Sequence, residues 1–309
     1  MTRSRRSLGS ILFALVALLS SASLAAQDVA LRYRWTKGEE QRYRTTTQTD
    51  MVMSGIPGMG DMTVVTTMVQ VTKMVADDVA ADGTATIRMV YESVKMNMAM
   101  PMMGEVSYDS AAPPAAGNPL TDALKPLGAL VGEPFTIVVS VSGKVLKIDG
   151  LTPILDKARA GLASAAGAAG FGGGGDVNTI LSDASQRATL EQSFVPMPDK
   201  PLKVGETWKN AFKIPNPFGA QAASQVFTLK EATGATARIA AAGTMKPEGA
   251  PGAMGPMTVT MGDGTSQGDI TFNVKLGRMQ KMTSVLVMPL SMSMAAPDGT
   301  NLSIQASSK

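Results

Sequence analysis

The chain contains no cysteine and no histidine. Without cysteine there is no disulfide framework and no thiol nucleophile. Without histidine the Ser-His-Asp and Cys-His arrangements and the usual zinc sites each lose a member. Aromatic residues are only 5% of the chain. That scarcity counts against a cleft that stacks sugars between paired carboxylates. Beyond the first residues no apolar run approaches the roughly 20 residues that a membrane-spanning helix needs. Methionine is the counterweight, with 23 copies, so Met, Val, Leu and Ala must fill the core.

The first residues read as a signal peptide. Arg3, Arg5 and Arg6 form a basic start, Ile11 to Leu19 an apolar stretch, and Ser23-Leu24-Ala25 offers small residues for cleavage after Ala25 or Ala26. With no cysteine to carry a lipid, the expected product is exported and released, periplasmic or secreted, with no integral membrane anchor. The leader also carries the charge imbalance. Removing its three arginines from the 28 basic residues leaves as many as the 25 acidic ones. The case for nucleic acid as a partner goes with it.

Beyond residue 26, period-2 alternation dominates. Val29 to Trp35 alternates apolar and basic residues as an edge-capable strand would. Strands are expected at Gln41–Met53, Met62–Val75 and Thr84–Met100, the last two joined by an Asp82-Gly83 turn. In Thr84–Met100 the apolar phase slips between Tyr91 and Val94, which predicts a bulge near Glu92-Ser93. A Pro/Ala/Gly covering loop is expected from Ala111 to Pro126. Phe135 to Ile148 reads as a hairpin turning at Ser142-Gly143-Lys144.

Leu151 to Ser164 has helical spacing, with Thr152 as the expected cap. An Ala/Gly linker follows from Ala165 to Gly175, then a second helix capped by Asp176 or Asn178 and running to about Leu190. Strands resume at Thr207–Lys213, Gln225–Glu231 and Ala235–Ala242, with a loop from Pro247 to Pro256. Ile270, Phe272, Val274 and Leu276 then alternate, and Leu286, Met288, Leu290, Met292 and Met294 share one phase. Asp298-Gly299-Thr300 turns into a last short strand.

Two motifs repeat. Val131-Gly132-Glu133 recurs as Val204-Gly205-Glu206, and the Gly143-Lys144-Val145 return recurs at Gly277-Arg278-Met279. They divide the chain into a β half at 27–150, a helical, Gly/Ala-rich insert at 151–193 and a second β half at 194–309. The expected fold is mostly β, a β-rich α+β protein made of two related, curved antiparallel halves. If the echo marks a duplication, Gly143 should occupy the place of Gly277.

Motifs that could carry chemistry have ordinary explanations. Gly170, Gly172 and Gly175 satisfy a dinucleotide-loop pattern but follow an alanine-rich helix, where a linker is the better reading. Asp82-Gly83-Thr84, Asp263-Gly264-Thr265 and Asp298-Gly299-Thr300 lack the acidic density of calcium loops and read as turns. The pairs Asp77-Asp78 and Glu39-Glu40 sit beside turns on solvated faces. Met51-x-Met53, Met96-x-Met98-x-Met100 with Met102-Met103, and Met292-x-Met294 resemble the spacing of Cu(I)-handling proteins, since thioethers are soft ligands. The same methionines continue the phase of Val94 and Leu286, as the lining of a core or groove requires.

Leu31-Arg32-Tyr33-Arg34-Trp35-Thr36-Lys37-Gly38-Glu39, followed by Arg42-Tyr43-Arg44, resembles the opening of an exported bacterial family of unknown function. The Gly143–Val145 hairpin and the block from Pro201 through Val204-Gly205-Glu206 to Trp208 match it as well. The resemblance implies long Thr- and Met-rich strands and brings no catalytic residues. In architecture the chain is also similar to curved-sheet carriers of lipoproteins and lipids in the cell envelope.

The expectation is therefore a non-enzymatic binding or carrier protein without cofactor or metal. Its apolar ligand, a lipid or similar small molecule, would lie in a groove lined by Met96, Met98, Met100, Leu286, Met288, Leu290, Met292 and Met294. A structural or interaction role in the envelope is the first alternative, and Cu(I) handling the second.

Overall fold

The computed structural model describes residues 28–54, 60–100, 104–112, 121, 124–168, 182–214, 220–248, 252–254, 257–295 and 301–308. The expected leader, residues 169–175 of the expected linker, Met102-Met103, the Asp176 and Asn178 caps and the Asp298-Gly299 turn fall outside the described residues; residues 165–168, expected as linker, are helical.

The fold is mostly β and entirely antiparallel in its ladders. In chain order the strands are β1 (Glu40–Ser54), β2 (Met62–Val79), β3 (Ala85–Met100), β4 (Gly104–Asp109), β5 (Pro134–Val139) and β6 (Val145–Asp149). Two helices follow, α1 (Leu151–Ala168) and α2 (Asp183–Ser193). Then come β7 (Thr207–Ile214), β8 (Ala220–Ala232), β9 (Thr236–Glu248), β10 (Gly252–Met254), β11 (Met257–Met261), β12 (Gly264–Asn273), β13 (Arg278–Ala295) and β14 (Asn301–Ser308).

The strand order is β6-β5-β3-β2-β1-β14-β13-β12-β9-β8-β7. Two sheets are joined where β13 pairs with β12 along its first part and with β14 and β11 along its last. The sheet does not close into a barrel. No helix among the described residues is long and apolar enough to cross a membrane.

The order contains one five-strand meander twice, β6-β5-β3-β2-β1 and β13-β12-β9-β8-β7. Registers agree residue by residue. Ala76, Ile87, Ile137 and Ile148 form a row across β2, β3, β5 and β6. Leu229, Ile239, Ile270 and Met282 form the same row across β8, β9, β12 and β13. Each half bulges at the residue after its first row member, Asp77 and Lys230, and again shortly after its second turn, at Leu146 and Gln280. Gly143 and Gly277 lie at equal distances from the latter bulges.

The strand-opening motif also matches, though not in the pairing its letters suggest. The Gly38 N–H donates to Ala76, whose own N–H donates to Glu39. Gly205, Leu229 and Glu206 make the same exchange. Val204-Gly205-Glu206 is thus the counterpart of Lys37-Gly38-Glu39, whereas Val131-Gly132-Glu133 precedes β5 with one such bond, from the Gly132 N–H to Tyr91, beside a parallel bridge of Val131 to Tyr91.

The segment Val29–Trp35 is not an edge strand. It makes one bridge, Val29 to Leu202, and then runs between the two repeated turns. The Tyr33 N–H donates to Val141 and the Arg34 N–H to Gly277. Leu31 and Tyr33 are buried at the centre of the core. Around them gather Ile87, Met89, Phe135, Ile137 and Val139 from one half and Phe227, Leu229, Ile239, Ile270 and Phe272 from the other. Tyr33 meets Phe272 and Phe194 edge-on, with ring centroids 5.5 and 5.7 Å apart. Leu151, Ile154, Leu155 and Ala158 of α1 complete the cluster.

The bulge expected near Glu92-Ser93 is present in β3 at Glu92, since Val71 faces Ser93 while Thr72 faces Tyr91. Several boundaries differ from the sequence reading for local reasons. α1 begins at Leu151, so Thr152 lies in its first turn and its hydroxyl donates to Asp183 instead of capping. The described part of α2 begins at Asp183 with Ser182 as its cap, accepting from the Ser185 N–H. β12 ends at Asn273 because its side-chain oxygen accepts from the Leu276 N–H and turns the chain, leaving Leu276 exposed. β9 runs on to Glu248 and β10 forms at Gly252–Met254, both within the expected loop, and β4 and β11 are strands that the sequence pattern does not mark.

Candidate functional site

The inner face of the second half is hollow where that of the first is filled. Counting from the shared row, Met89, Tyr91 and Phe135 in the first half correspond to Ala241, Gly243 and Gly268 in the second. In the first half these large side chains pack together, with Tyr91 and Phe135 ring centroids 5.5 Å apart, and α1 lies over them. In the second half the small residues leave a cavity of about 570 Å³ between the β7-β8-β9-β12-β13 face, the Ser142–Val145 turn and the Phe194–Met197 segment. That volume lies within the roughly 300–1,000 Å³ typical of small-molecule sites.

The apolar wall includes Phe194, Phe212, Phe227, Met245, Ile270 and Met282. Phe227 is held by stacking on Trp208 at 5.3 Å, and the Trp208 indole donates to the Pro196 carbonyl. One row across the floor is polar: Asn210, Gln225, Gly243 and Ser266 stand opposite one another on β7, β8, β9 and β12. A side chain on Gly243 would meet Ser266 Oγ at 2.5 Å and Gln225 Cγ at 3.1 Å, so both polar groups lean over the glycine. No side-chain hydrogen bond between described residues engages Asn210, Gln225 or Ser266, which leaves their amide and hydroxyl groups facing the hollow. Lys144 and Glu191 are the charged side chains of the lining, and Glu191 is paired with Arg187.

The methionine-lined groove expected from sequence is distributed differently. Leu286 does line the cavity, at 39% exposure. Met288 stands just beyond it, where its sulfur accepts from the side-chain amide of buried Gln221. Leu290 and Met292 lie further along β13, opposite the buried Met261 and Val259 of β11. Met96 and Met98 belong to the other half, opposite the buried Tyr108 and Val106 of β4. The bulge at Glu92 gives them the same inward face as Met89. Met100 is opposite Gly104, and Met294 is opposite Met257; the side chains of Met100 and Met294 fall outside the described residues.

The acidic groups considered from sequence are tied into ion pairs. Asp77 binds Arg88 at 2.9 Å and Asp78 binds Lys37 at 3.1 Å. Glu39 pairs with Arg278, and Glu40 with Lys73 and Arg42. The hydrogen bonds from Arg88, Lys37 and Lys73 hold the carboxyls of Asp77, Asp78 and Glu40 below their usual range. Among the described residues no cluster of three or more acidic side chains could hold a metal ion. What sequence reasoning missed is Ala241, Gly243 and Gly268, whose signal appears only when the two halves are aligned.

No curated protein and no solved structure matches the chain. A family profile does match, over residues 82–278, nearly two thirds of the chain. It takes in the Gly143 hairpin and the Pro201–Trp208 block and leaves the Leu31–Arg44 opening outside. On that match the chain belongs to DUF6263, a family of unknown function.

Proposed function

We propose that this protein binds, and carries, an uncharged apolar or amphiphilic small molecule in the cavity of its second half, without chemical conversion. The observation that supports it most is the replacement of Met89, Tyr91 and Phe135 by Ala241, Gly243 and Gly268 at matching positions. Ala241 and Gly268 line the hollow, while over Gly243 the Ser266 and Gln225 side chains take up the room. The hollow opens to solvent along Met282–Leu286, so its apolar wall stands in water until a ligand covers it, a gain of roughly 25 cal/mol per Å² of apolar surface. Neutral amides and a hydroxyl in the floor suit a ligand with an ester, amide or hydroxyl between apolar parts, and they do little for a buried charge. The leader supports export, and so a role in the cell envelope.

The test is a titration with N-phenyl-1-naphthylamine, a neutral dye that fluoresces in apolar surroundings. Saturable binding of one equivalent is expected. Ala241→Met restores the side chain present at Met89 and should weaken binding at least tenfold, about 1.4 kcal/mol. Leucine at Met96, Met98, Met288 and Met292 keeps apolar volume and should leave binding within a few-fold. Unchanged dye affinity in Ala241→Met would remove the cavity from the proposal. A Cu(I) competition titration covers the metal alternative: one tightly held equivalent, lost in the leucine variants, would favour it.

A further inference from the structure

The two repeats do not pair strand to strand. β1 and β13 run parallel to each other, and β14 lies between them only at their far ends. There Ser308 pairs with Met51 on one side and Met288 on the other, which sets β1 and β13 two ladder spacings apart, about 9.6 Å. At the near end the Tyr43 hydroxyl reaches across to 3.1 Å from the Met279 carbonyl, and Arg278 pairs with Glu39. From Tyr43 to Met51, and from Met279 to Met288 less the bulged Gln280, the two walls have the same number of ladder steps. The result is a slot with equally long walls, one strand wide where β14 enters it and about seven residues long, roughly 23 Å.

Both walls have bare backbone edges. Within the described residues β1 from Arg44 to Asp50 pairs only with β2, and β13 from Lys281 to Val287 only with β12. Their side chains show the consequence, because burial does not alternate. Arg44 through Gln48 are all exposed, and so are Lys281 through Val287, with Val285 at 48%. Long, flat edges carrying Val285, Leu286 and Val287 would ordinarily invite unwanted pairing unless blocked.

We propose that this slot receives an extended segment of a second polypeptide, in line with β14 and antiparallel to both walls. Only a polypeptide offers N–H and C=O groups on both of its edges, as the two walls require, and β14 already occupies the same channel in that manner. Side chains on the outer face of the incoming strand would lie among Arg44, Thr46, Lys281 and Thr283. Those on its inner face would lie among Thr45, Thr47, Met282 and Leu286. The partner segment is therefore alternating, apolar inward and hydroxyl or acidic outward. Met282 and Leu286 also line the cavity, so the strand would lie along its rim, but the proposal stands on the bare backbone edges and not on the cavity's ligand.

The probe is the synthetic peptide acetyl-Glu-Val-Thr-Val-Glu-Val-Thr-amide, added to the full chain at millimolar concentration while amide hydrogen exchange is followed. The expected result is slowing of about tenfold at both Arg44–Asp50 and Lys281–Val287. Two further peptides, N-methylated on odd or on even residues, each lose the donors of one edge, and both should fail to protect. Protection of one wall only, survival of protection in either methylated peptide, or no protection by the parent peptide would each overturn the proposal.

Discussion

Gly143 and Gly277 have positive φ values of 83° and 61°. A side chain at Gly277 would lie 2.5 Å from the Arg34 backbone nitrogen, and one at Gly143 would lie 2.6 Å from the Tyr33 ring. Both turns are therefore seats for the N-terminal segment as well as reversals. Alanine at either position pays about 1–2 kcal/mol for left-handed backbone and must also push the segment away. Gly234, at the β8–β9 turn, has open space around it and no left-handed φ. Urea midpoints should fall clearly for Gly143→Ala and Gly277→Ala and move little for Gly234→Ala.

Tyr33 supports a second expectation at the same scale. Burial pushes its phenol well above the usual tyrosine range, and its hydroxyl accepts from the Val195 N–H at 2.9 Å. Tyr33→Phe leaves that buried donor unpaired, at a cost of about 1–3 kcal/mol. The stability that comes from keeping this phenol neutral is fully present below the unfolded pKa and is lost as pH rises toward the folded one. Thermal scans at alkaline pH should accordingly show a shallower decline in the phenylalanine variant.

At the scale of elements, the strands were legible because period-2 alternation survives burial on one face. The Glu92 bulge was legible because a bulge shifts that phase, as the step from Tyr91 to Val94 records. Helix and strand ends were less so. Thr152 carries the chemistry of a cap, but its hydroxyl goes to Asp183, and Asn273 ends a strand through a bond to Leu276 that alternation does not register. The expected methionine groove came from phase along single strands. Phase tells which face a residue occupies, not which strand stands opposite, so Met96 and Leu286 could share a face and still lie in different halves. The cavity depends on Ala241 and Gly268, and small residues in a strand announce nothing until their large counterparts are identified. Removing the counterparts gives a converse test: Phe135→Ala should cost about 3–5 kcal/mol, measured by chemical denaturation, because that half is packed.

For the whole molecule, absence of histidine removes the side chain that ordinarily titrates between pH 5 and 8. Asp77, Asp78, Asp109 and Glu40 have carboxyls held below their usual range by hydrogen bonds from Arg88, Lys37, Lys95 and Lys73. A lowered folded pKa gives stability that is present above the unfolded pKa and lost as pH falls through the folded one. The melting temperature should therefore be nearly flat from pH 5 to 8 and decline below about pH 4. These are surface pairs, so the acid decline should be shallow and flattened further by salt. A steep change near pH 6 would contradict this account.

The segment at Tyr33 and Arg34 has a consequence for the order of events in time. Its partners are Val141 in one repeat and Gly277 close to the end of the other. The earliest part of the folded chain thus waits for nearly the last. Contacts that close loops of this size make folding slow. Until Gly277 is available Leu31 and Tyr33 have only half of their surroundings, and a nascent chain remains pliable along most of its length. Such delay would suit the export proposed above, in which a polypeptide is threaded before it is allowed to set.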